Sequence, residues 1–422
     1  MRRLLFAILT LAFGAFAGAF CWAFFFLMNL GMDLLWNRAP ALLESMGCPA
    51  LFYPIVFCAL GGLAIGLFQK RVGPYPDDMN TVLAEVKSSG RYEYKHIKAM
   101  FLGALMPLMF GGSIGPEAGL TGVIAGLCTW VGDRLRFVGS EMRELASAGT
   151  AAIISAIFAA PLFGLAAPLF GYADESDGKA VHGNARIEVP KPLKVVIYLL
   201  SIAGALGVFT LLSTFVGGGL GLPHFSEMSV SVYEVAWMIP LILIGACAGW
   251  LFHAFGAGVR WLSAHLGERP IVKAVLAGLI LGGIGVLLPF TMFAGEAQTE
   301  MLAAQWTGMS ALVLLATGFL KVLSTQVCLG LGWRGGHFFP IIFAGISIGY
   351  ACAGLFGIDP VFALCVCTAG LLGVVMRQPL MVTLLLILCF PVKAVVFMLI
   401  AACIGSVIPV PKAFIRNAED SR

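Results

Sequence analysis

The sequence predicts an all-α polytopic membrane protein in which several helices stop part-way across the bilayer. Three observations predict it. The chain of 422 residues is 60% apolar and only 11% charged, where a soluble domain is about half apolar and about a quarter charged. Its 26 basic and 22 acidic residues are bunched, leaving long charge-free stretches. Several of those stretches are too short to span a membrane and are edged by Gly or Pro.

The charge-free stretches are 4–32, 45–69, 99–116, 118–132, 145–173, 195–226, 235–259, 274–295, 301–320, 335–358, 360–376, 378–392 and 394–411. A helix needs about 20 apolar residues to cross roughly 30 Å of hydrocarbon, and most of these reach that length. Segments 118–132, 360–376 and 378–392 fall short. Helices that end inside the membrane are tolerated only where protein or a water-filled cavity surrounds the broken backbone.

The first stretch follows Arg2 and Arg3, as in a secretory signal, but runs to about Met32. That is too long for a signal core, so a retained first helix is expected. Segment 70–98 begins with Gly73-Pro74-Tyr75-Pro76 and reads as a turn followed by a short amphipathic helix at the inner surface. Lys87, Arg91, Lys95 and Lys98 lie there, and Lys179, Arg186, Lys191 and Lys194 lie in a second polar segment. By the positive-inside rule both are cytoplasmic, and both termini are placed there too. The net charge of +4 comes from such loops and excludes a nucleic-acid partner. The 11 cysteines are scattered without metal-ligand spacing and read as small core residues, so no metal and no cofactor are expected.

Segment 172–194, rich in Gly, Asp and Pro, divides the chain. The expected organisation is a first membrane repeat at 1–171, a linker at 172–194, a second and inverted repeat at 195–411, and a tail at 412–422. Motif spacing supports duplication. GGSIGPEAG at 111–119 and GWRGGHFFP at 332–340 each open an apolar run, and each is followed by Ala-Gly and then Pro-Leu. Glu117 precedes Pro161 by 44 residues and Phe338 precedes Pro379 by 41.

Glu117 stands alone between two charge-free stretches, and a carboxylate at that depth is expensive and functional by default. The glycines around it let backbone N–H groups face a ligand, and Pro116 suits the start of a helix. A helix N-terminus carries orphan donors and partial positive charge, which attract an anion or the Glu117 carboxylate itself. Gly335-Gly336-His337-Phe338-Phe339-Pro340 repeats that design without a carboxylate. His337 reads first as a packing residue, and Arg334 is balanced between an anion attractor and an interfacial charge.

These motifs resemble those of the CLC chloride channels and chloride/proton exchangers. Gly115-Pro116-Glu117-Ala118-Gly119 resembles the family's G-[RK]-E-G-P element, Gly336-His337-Phe338-Phe339-Pro340 its G-x-F-x-P element, and Phe158-Ala159-Ala160-Pro161-Leu162-Phe163-Gly164 its F-N-A-P-L-A-G segment. Order and spacing match over roughly residues 4–410. The resemblance implies CLC-like inverted repeats, a homodimer in the cell membrane with one pore per subunit, and broken helices aimed at dehydrated anions. It makes Glu117 the gate. It makes the backbone around Ile114, Gly115, Pro116 and Glu117 and around Gly336, His337, Phe338 and Phe339 the anion ligands.

The departures shape the functional reading. The family's serine ligand falls near 73–77, where the chain reads Gly73-Pro74-Tyr75-Pro76-Asp77, leaving Tyr75 as the candidate hydroxyl. Its tyrosine ligand falls near 411–415, and no Tyr follows Tyr350. The second glutamate of the exchangers falls at Phe170-Gly171, with Asp174 and Glu175 nearby in a polar loop. Loss of that group favours passive or weakly coupled conduction.

The expected function is therefore conduction of a small monovalent anion, chloride first, gated by Glu117, with chloride/proton antiport as the alternative. A non-CLC secondary transporter of an organic anion is a further alternative. A membrane enzyme using Glu117 and His337 ranks lowest, because no nucleophile–base spacing and no metal-ligand cluster accompany them. Glu296 and Glu300 are expected to bracket a loop, and Lys321 to serve packing or an interface. The Gly- and Leu-rich segment 195–221 is the sequence support for close helix packing in a dimer. No nucleotide-binding modules are expected after residue 411.

Overall fold

The structure, a computed structural model, describes residues 2–47, 50–134, 139–170, 191–218, 223–387 and 389–415. Among them the regular elements are helical. They are α1 (Arg2–Met32), α2 (Ala39–Ser45), α3 (Tyr53–Arg71), α4 (Met79–Ser89), α5 (Ile97–Met109), α6 (Glu117–Arg134), α7 (Gly139–Phe158), α8 (Pro161–Phe170) and α9 (Lys191–Val216). The second half supplies α10 (Val232–His265), α11 (Pro270–Leu287), α12 (Glu296–Gln305), α13 (Ala311–Gly330), α14 (Phe338–Phe356), α15 (Pro360–Met376), α16 (Pro379–Leu386), α17 (Val395–Val407) and α18 (Lys412–Ile415).

Seven of the described helical stretches are long and apolar enough to cross a membrane. In the short gaps 360–376 and 378–392, α15 has 17 residues and α16 has 8, as expected; the short gap 118–132 instead holds the 18-residue α6, and α8, with 10, is short inside the longer gap 145–173. Both Pro161 and Pro379 open their helices, where a fixed φ and a missing N–H do no harm.

The chain forms two compact units that interleave along the sequence. One comprises 1–31, 75–105 and 116–220; the other comprises 32–74, 106–115 and 221–422.

In the first unit, α7 packs against α6, α8 and α9. The amphipathic helix expected after the 73–76 turn is α4. Asp78 caps it by accepting from the amides of Asn80 and Thr81, and Gly90 ends it in the left-handed region at φ 73°. Buried Glu144 on α7 accepts from the Tyr198 hydroxyl at 3.0 Å and pairs with Lys194 at 2.9 Å, both on α9. The predicted linker 172–194 lies outside the described residues up to 190, as do Gly171, Asp174 and Glu175. Its last four residues differ from the expectation: they form the first turn of α9.

Within segment 195–221, the described residues do show close helix packing. Some of its small residues are occupied within this unit, because the backbones of Ser201 and Ala205 of α9 meet Gly14 and Gly18 of α1, whereas Gly207 and Gly217 face open space. Close packing of small residues is the usual way membrane helices approach. Here Ser201 and Ala205 join two helices of one chain.

In the second unit, α11 lies on α3, and α15 packs against α10, α14 and α17. The apolar window of α14 is 89% buried and that of the helix at Ala50–Arg71 only 28%, so α14 is interior and α3 is largely uncovered by its own chain. Ser231 begins α10 with a capping box closed by Glu234. From the predicted tail, Phe414 on α18 packs on Trp250 at 5.2 Å, and its carbonyl accepts from Arg260. Residues 416–422 lie outside the described part.

Candidate anion site and its supports

The glycine loop after α5 is held atom by atom within the second unit. The Gly112 amide donates to Pro107 O at 2.8 Å, and Gly111 O accepts from the Phe293 amide at 2.9 Å. Gly111 has φ 85°, and a Cβ there would lie 2.7 Å from the Trp36 ring, so both backbone and space require glycine. Trp36 in turn donates its indole N–H to Met109 O at 2.9 Å.

Buried Ser113 faces buried Thr325 of α13 with their hydroxyls 3.1 Å apart. Thr325 has one hydroxyl proton, and it goes to Lys321 O at 2.9 Å. Ser113 is therefore the donor of the pair.

Gly115 and Gly336 then exchange both backbone hydrogen bonds, each 2.8 Å, as an isolated antiparallel bridge. Gly335 must also be glycine, since a Cβ would lie 2.6 Å from Ile114 Cδ1 and 3.0 Å from Gly115 O. The second loop is anchored by fully buried Trp333, whose indole N–H donates to Ala274 O at 2.9 Å, and by Gln69 donating to Gly332 O.

His337 occupies the N-cap position of α14, and the first intrahelical bond runs from the Ile341 amide to His337 O. Phe338 and Phe339 are buried in the first turn. The His337 ring lies 4.6 Å from the Phe338 ring and 5.6 Å from Phe252, the apolar packing expected of it.

In the first unit, Glu117 is the first residue of α6 and has no solvent-accessible surface. The Leu120 amide donates to Pro116 O at 3.1 Å, and the Thr121 hydroxyl to Glu117 O at 2.7 Å. Gly119, two residues on, presses on Ala104 of α5 and lies within reach of Pro76. This unit thus brings the Tyr75-Pro76 turn to the start of α6. The Tyr75 ring stacks on His96 at 5.1 Å, and Tyr92 ties the segment down by donating to Asp77 at 2.7 Å and accepting nothing from it.

Ile114, Gly115 and Gly336 to Phe339 are thus neighbours within one unit, and Pro116, Glu117 and Tyr75 belong to the other. Each bridging glycine stands two residues before the first residue of a helix, Gly115 before Glu117 and Gly336 before Phe338. Sequence reasoning missed Ser113, Thr325 and Trp333, whose partners lie far away along the chain. It also misplaced two acidic residues, while Lys321 has the packing role expected of it. Glu296 and Glu300 belong to helix α12 rather than a loop, and Lys321 is wholly buried, donating to Met292 O at 2.7 Å and Phe293 O at 2.6 Å.

These features define a class: a multi-pass, all-α membrane protein in which α6 and α14 begin at glycine loops. The family profile described as voltage gated chloride channel matches residues 61–409, and the chain belongs to that family, the CLC proteins. It is 28% identical over 330 residues to YfeO of Escherichia fergusonii, whose candidate role is ion transport, covering 75% of this chain and 71% of that one. YfeO of Escherichia coli SMS-3-5 is equally similar, 28% over 331 residues with the same coverage.

Among solved structures, a slow cyanobacterial Cl-/H+ antiporter superposes with a TM-score of 0.78 at 18% identity, covering 96% of this chain and 93% of that one. A CLC-type fluoride/proton antiporter gives 0.72 at 19% identity, covering 96% and 95%. These likenesses establish the fold. The matching family and these neighbours are channels and antiporters rather than enzymes.

Proposed function

We propose that this chain conducts a small monovalent anion, chloride first, across the cell membrane, as a channel or weakly coupled carrier gated by Glu117. The backbone at Ile114, Gly115, Pro116 and Glu117 and at Gly336, His337, Phe338 and Phe339 replaces the ion's hydration shell, with the Tyr75 hydroxyl as a further ligand. One observation carries the reading: the reciprocal Gly115–Gly336 bridge, with each glycine two residues ahead of a helix start. Helix starts are where amide donors and positive partial charge collect, and glycine leaves them accessible to an anion.

The same symmetry of motif supports an organisation into repeats at 1–171 and 195–411, joined by 172–194 and followed by a tail at 412–422. The protein works as a homodimer with both termini cytoplasmic. Glu117 competes with the anion for one site and swings away when protonated or displaced.

A second reading, proton-coupled exchange, is favoured by two of the solved neighbours, a Cl-/H+ antiporter and a fluoride/proton antiporter. Anion efflux from liposomes with external pH recorded in the same cuvette separates the two. Chloride release without proton movement supports conduction, and release with proton uptake supports exchange. Release of no small anion at all overturns both.

A further inference from the structure

Two ionisable side chains in the second unit have no part in the anion site. Glu296 begins α12 and is 8% exposed. Its Oε1 is buried with no hydrogen-bond partner, and no ion pair reaches it among the described residues. A buried carboxylate oxygen without a donor is costly, and a bound proton removes the charge that makes it so.

Lys321 lies near the middle of α13 with no exposed surface. Its ammonium spends two donors on Met292 O and Phe293 O and sits 5.1 Å from the centre of the Phe343 ring. The same Phe343 closes over Gly295, the residue before Glu296, since a Cβ on Gly295 would lie 2.9 Å from Phe343 Cβ. Lys321 and the residue before Glu296 therefore share Phe343 as a neighbour. Lys321 is the cation whose field reaches the carboxyl.

The elements around Glu296 carry two more ionisable side chains, both on α14, Tyr350, whose ring stacks on Trp306 at 4.8 Å, and Cys352, and neither is among the groups acting on the Glu296 carboxyl. Helix α12 packs on α14 and the Trp306–Gly308 turn. Helix α14 presents Phe339 and Phe343 at Gly295, the turn has no titratable group, and Glu300 on α12 itself is exposed. Burial pushes the Glu296 carboxyl up to about 7, against the pull of Lys321.

Lys321 also leads to the anion loop. It holds the Phe293 carbonyl, and the Phe293 amide holds Gly111 O at 2.9 Å. Phe293 has φ 62°, a conformation that a bulky residue keeps only when its surroundings impose it.

We propose that Glu296, set against Lys321, is a proton-binding site linked to the anion loop through Phe293 and Gly111. With its proton on, Glu296 is neutral and Lys321 is fully committed to the two carbonyls. When the proton leaves to water, the carboxylate competes for the ammonium, and the grip on Phe293 and hence on Gly111 loosens. Only the effect on flux rests on the anion-transport reading; the proton site stands on the geometry of this unit.

The test is an infrared pH titration of the purified full-length protein in liposomes, comparing wild type with Glu296→Gln, and with anion efflux recorded on the same preparations. The expected result is a protonated-carboxyl C=O band near neutral pH that titrates away on raising pH and is lost in Glu296→Gln. Lys321→Met removes the opposing charge and shifts that titration upward by about one pH unit or more. Lys321→Arg keeps the charge and leaves it close to wild type. If Glu296→Gln fails to assemble, Glu296→Asp keeps the test open, because it preserves the titration at a shifted frequency. Identical spectra for wild type and Glu296→Gln overturn the proposal. A Glu296 band in a protein that releases no anion keeps the proton site and overturns the transport reading instead. An efflux pH profile unchanged in Glu296→Gln, with the band lost, overturns the link to the loop.

Discussion

Gly115 and Gly336 hold each other by two reciprocal 2.8 Å backbone hydrogen bonds, although 220 residues of chain separate them. The bridge fixes the register of two glycine loops without any side chain. Its energy is that of two buried backbone hydrogen bonds, about 1 kcal/mol each net, but breaking it strands four polar groups at a greater cost. Its neighbours must therefore stay small.

Gly335→Ala puts a methyl group against Ile114 and Gly115 O, and overpacking of this kind costs about 1–3 kcal/mol. The expected outcome is a weakened anion affinity at near-normal expression. Concentration dependence of chloride flux checks it, and an unchanged half-saturating concentration counts against the loop geometry.

Replacing Glu144 by Ala leaves Lys194 and the Tyr198 hydroxyl without their acceptor. Fully buried pairs lose about 3–5 kcal/mol when one partner is removed. The Lys194 side chain is 27% exposed, so solvent screening reduces this to about 1–3 kcal/mol. A lowered thermal midpoint in detergent is expected, and Glu144→Gln, which can still accept from Tyr198, recovers part of it.

Asp78→Ala removes the cap of α4 and costs about 1 kcal/mol. The effect is expected to be local: faster amide exchange at Asn80 and Thr81, with anion flux unchanged.

Stability is also expected to vary with pH through Glu296. Its carboxyl is raised from the usual 4.5 to about 7, so between those values the folded protein holds a proton that the unfolded chain releases. The contribution is complete below about 4.5 and is lost as pH rises through 7. Thermal midpoints should fall over that window in wild type and flatten in Glu296→Gln.

Much of the fold was legible because membrane helices announce themselves by charge gaps. Glu117 and Phe338 as helix starts, the short α15 and α16, and the amphipathic α4 after the 73–76 turn all follow from local chemistry. Long-range partners were not legible. Nothing near Ser113 in sequence points to Thr325, and Trp333 gives no sign of Ala274. Glu296 misled for the same reason, and although Lys321 packs as expected, only the folded chain supplies the carbonyls that bury it. The interleaving of the two compact units was likewise hidden, since it depends on which helices pack rather than on where polar segments fall.

The central claim is that the buried Glu117 carboxyl gates anion passage. Its most direct test is chloride efflux from liposomes holding wild type or Glu117→Gln, measured across a range of pH. The account predicts flux that persists in the variant and no longer responds to pH. Flux that stays fully pH-gated in Glu117→Gln would contradict it.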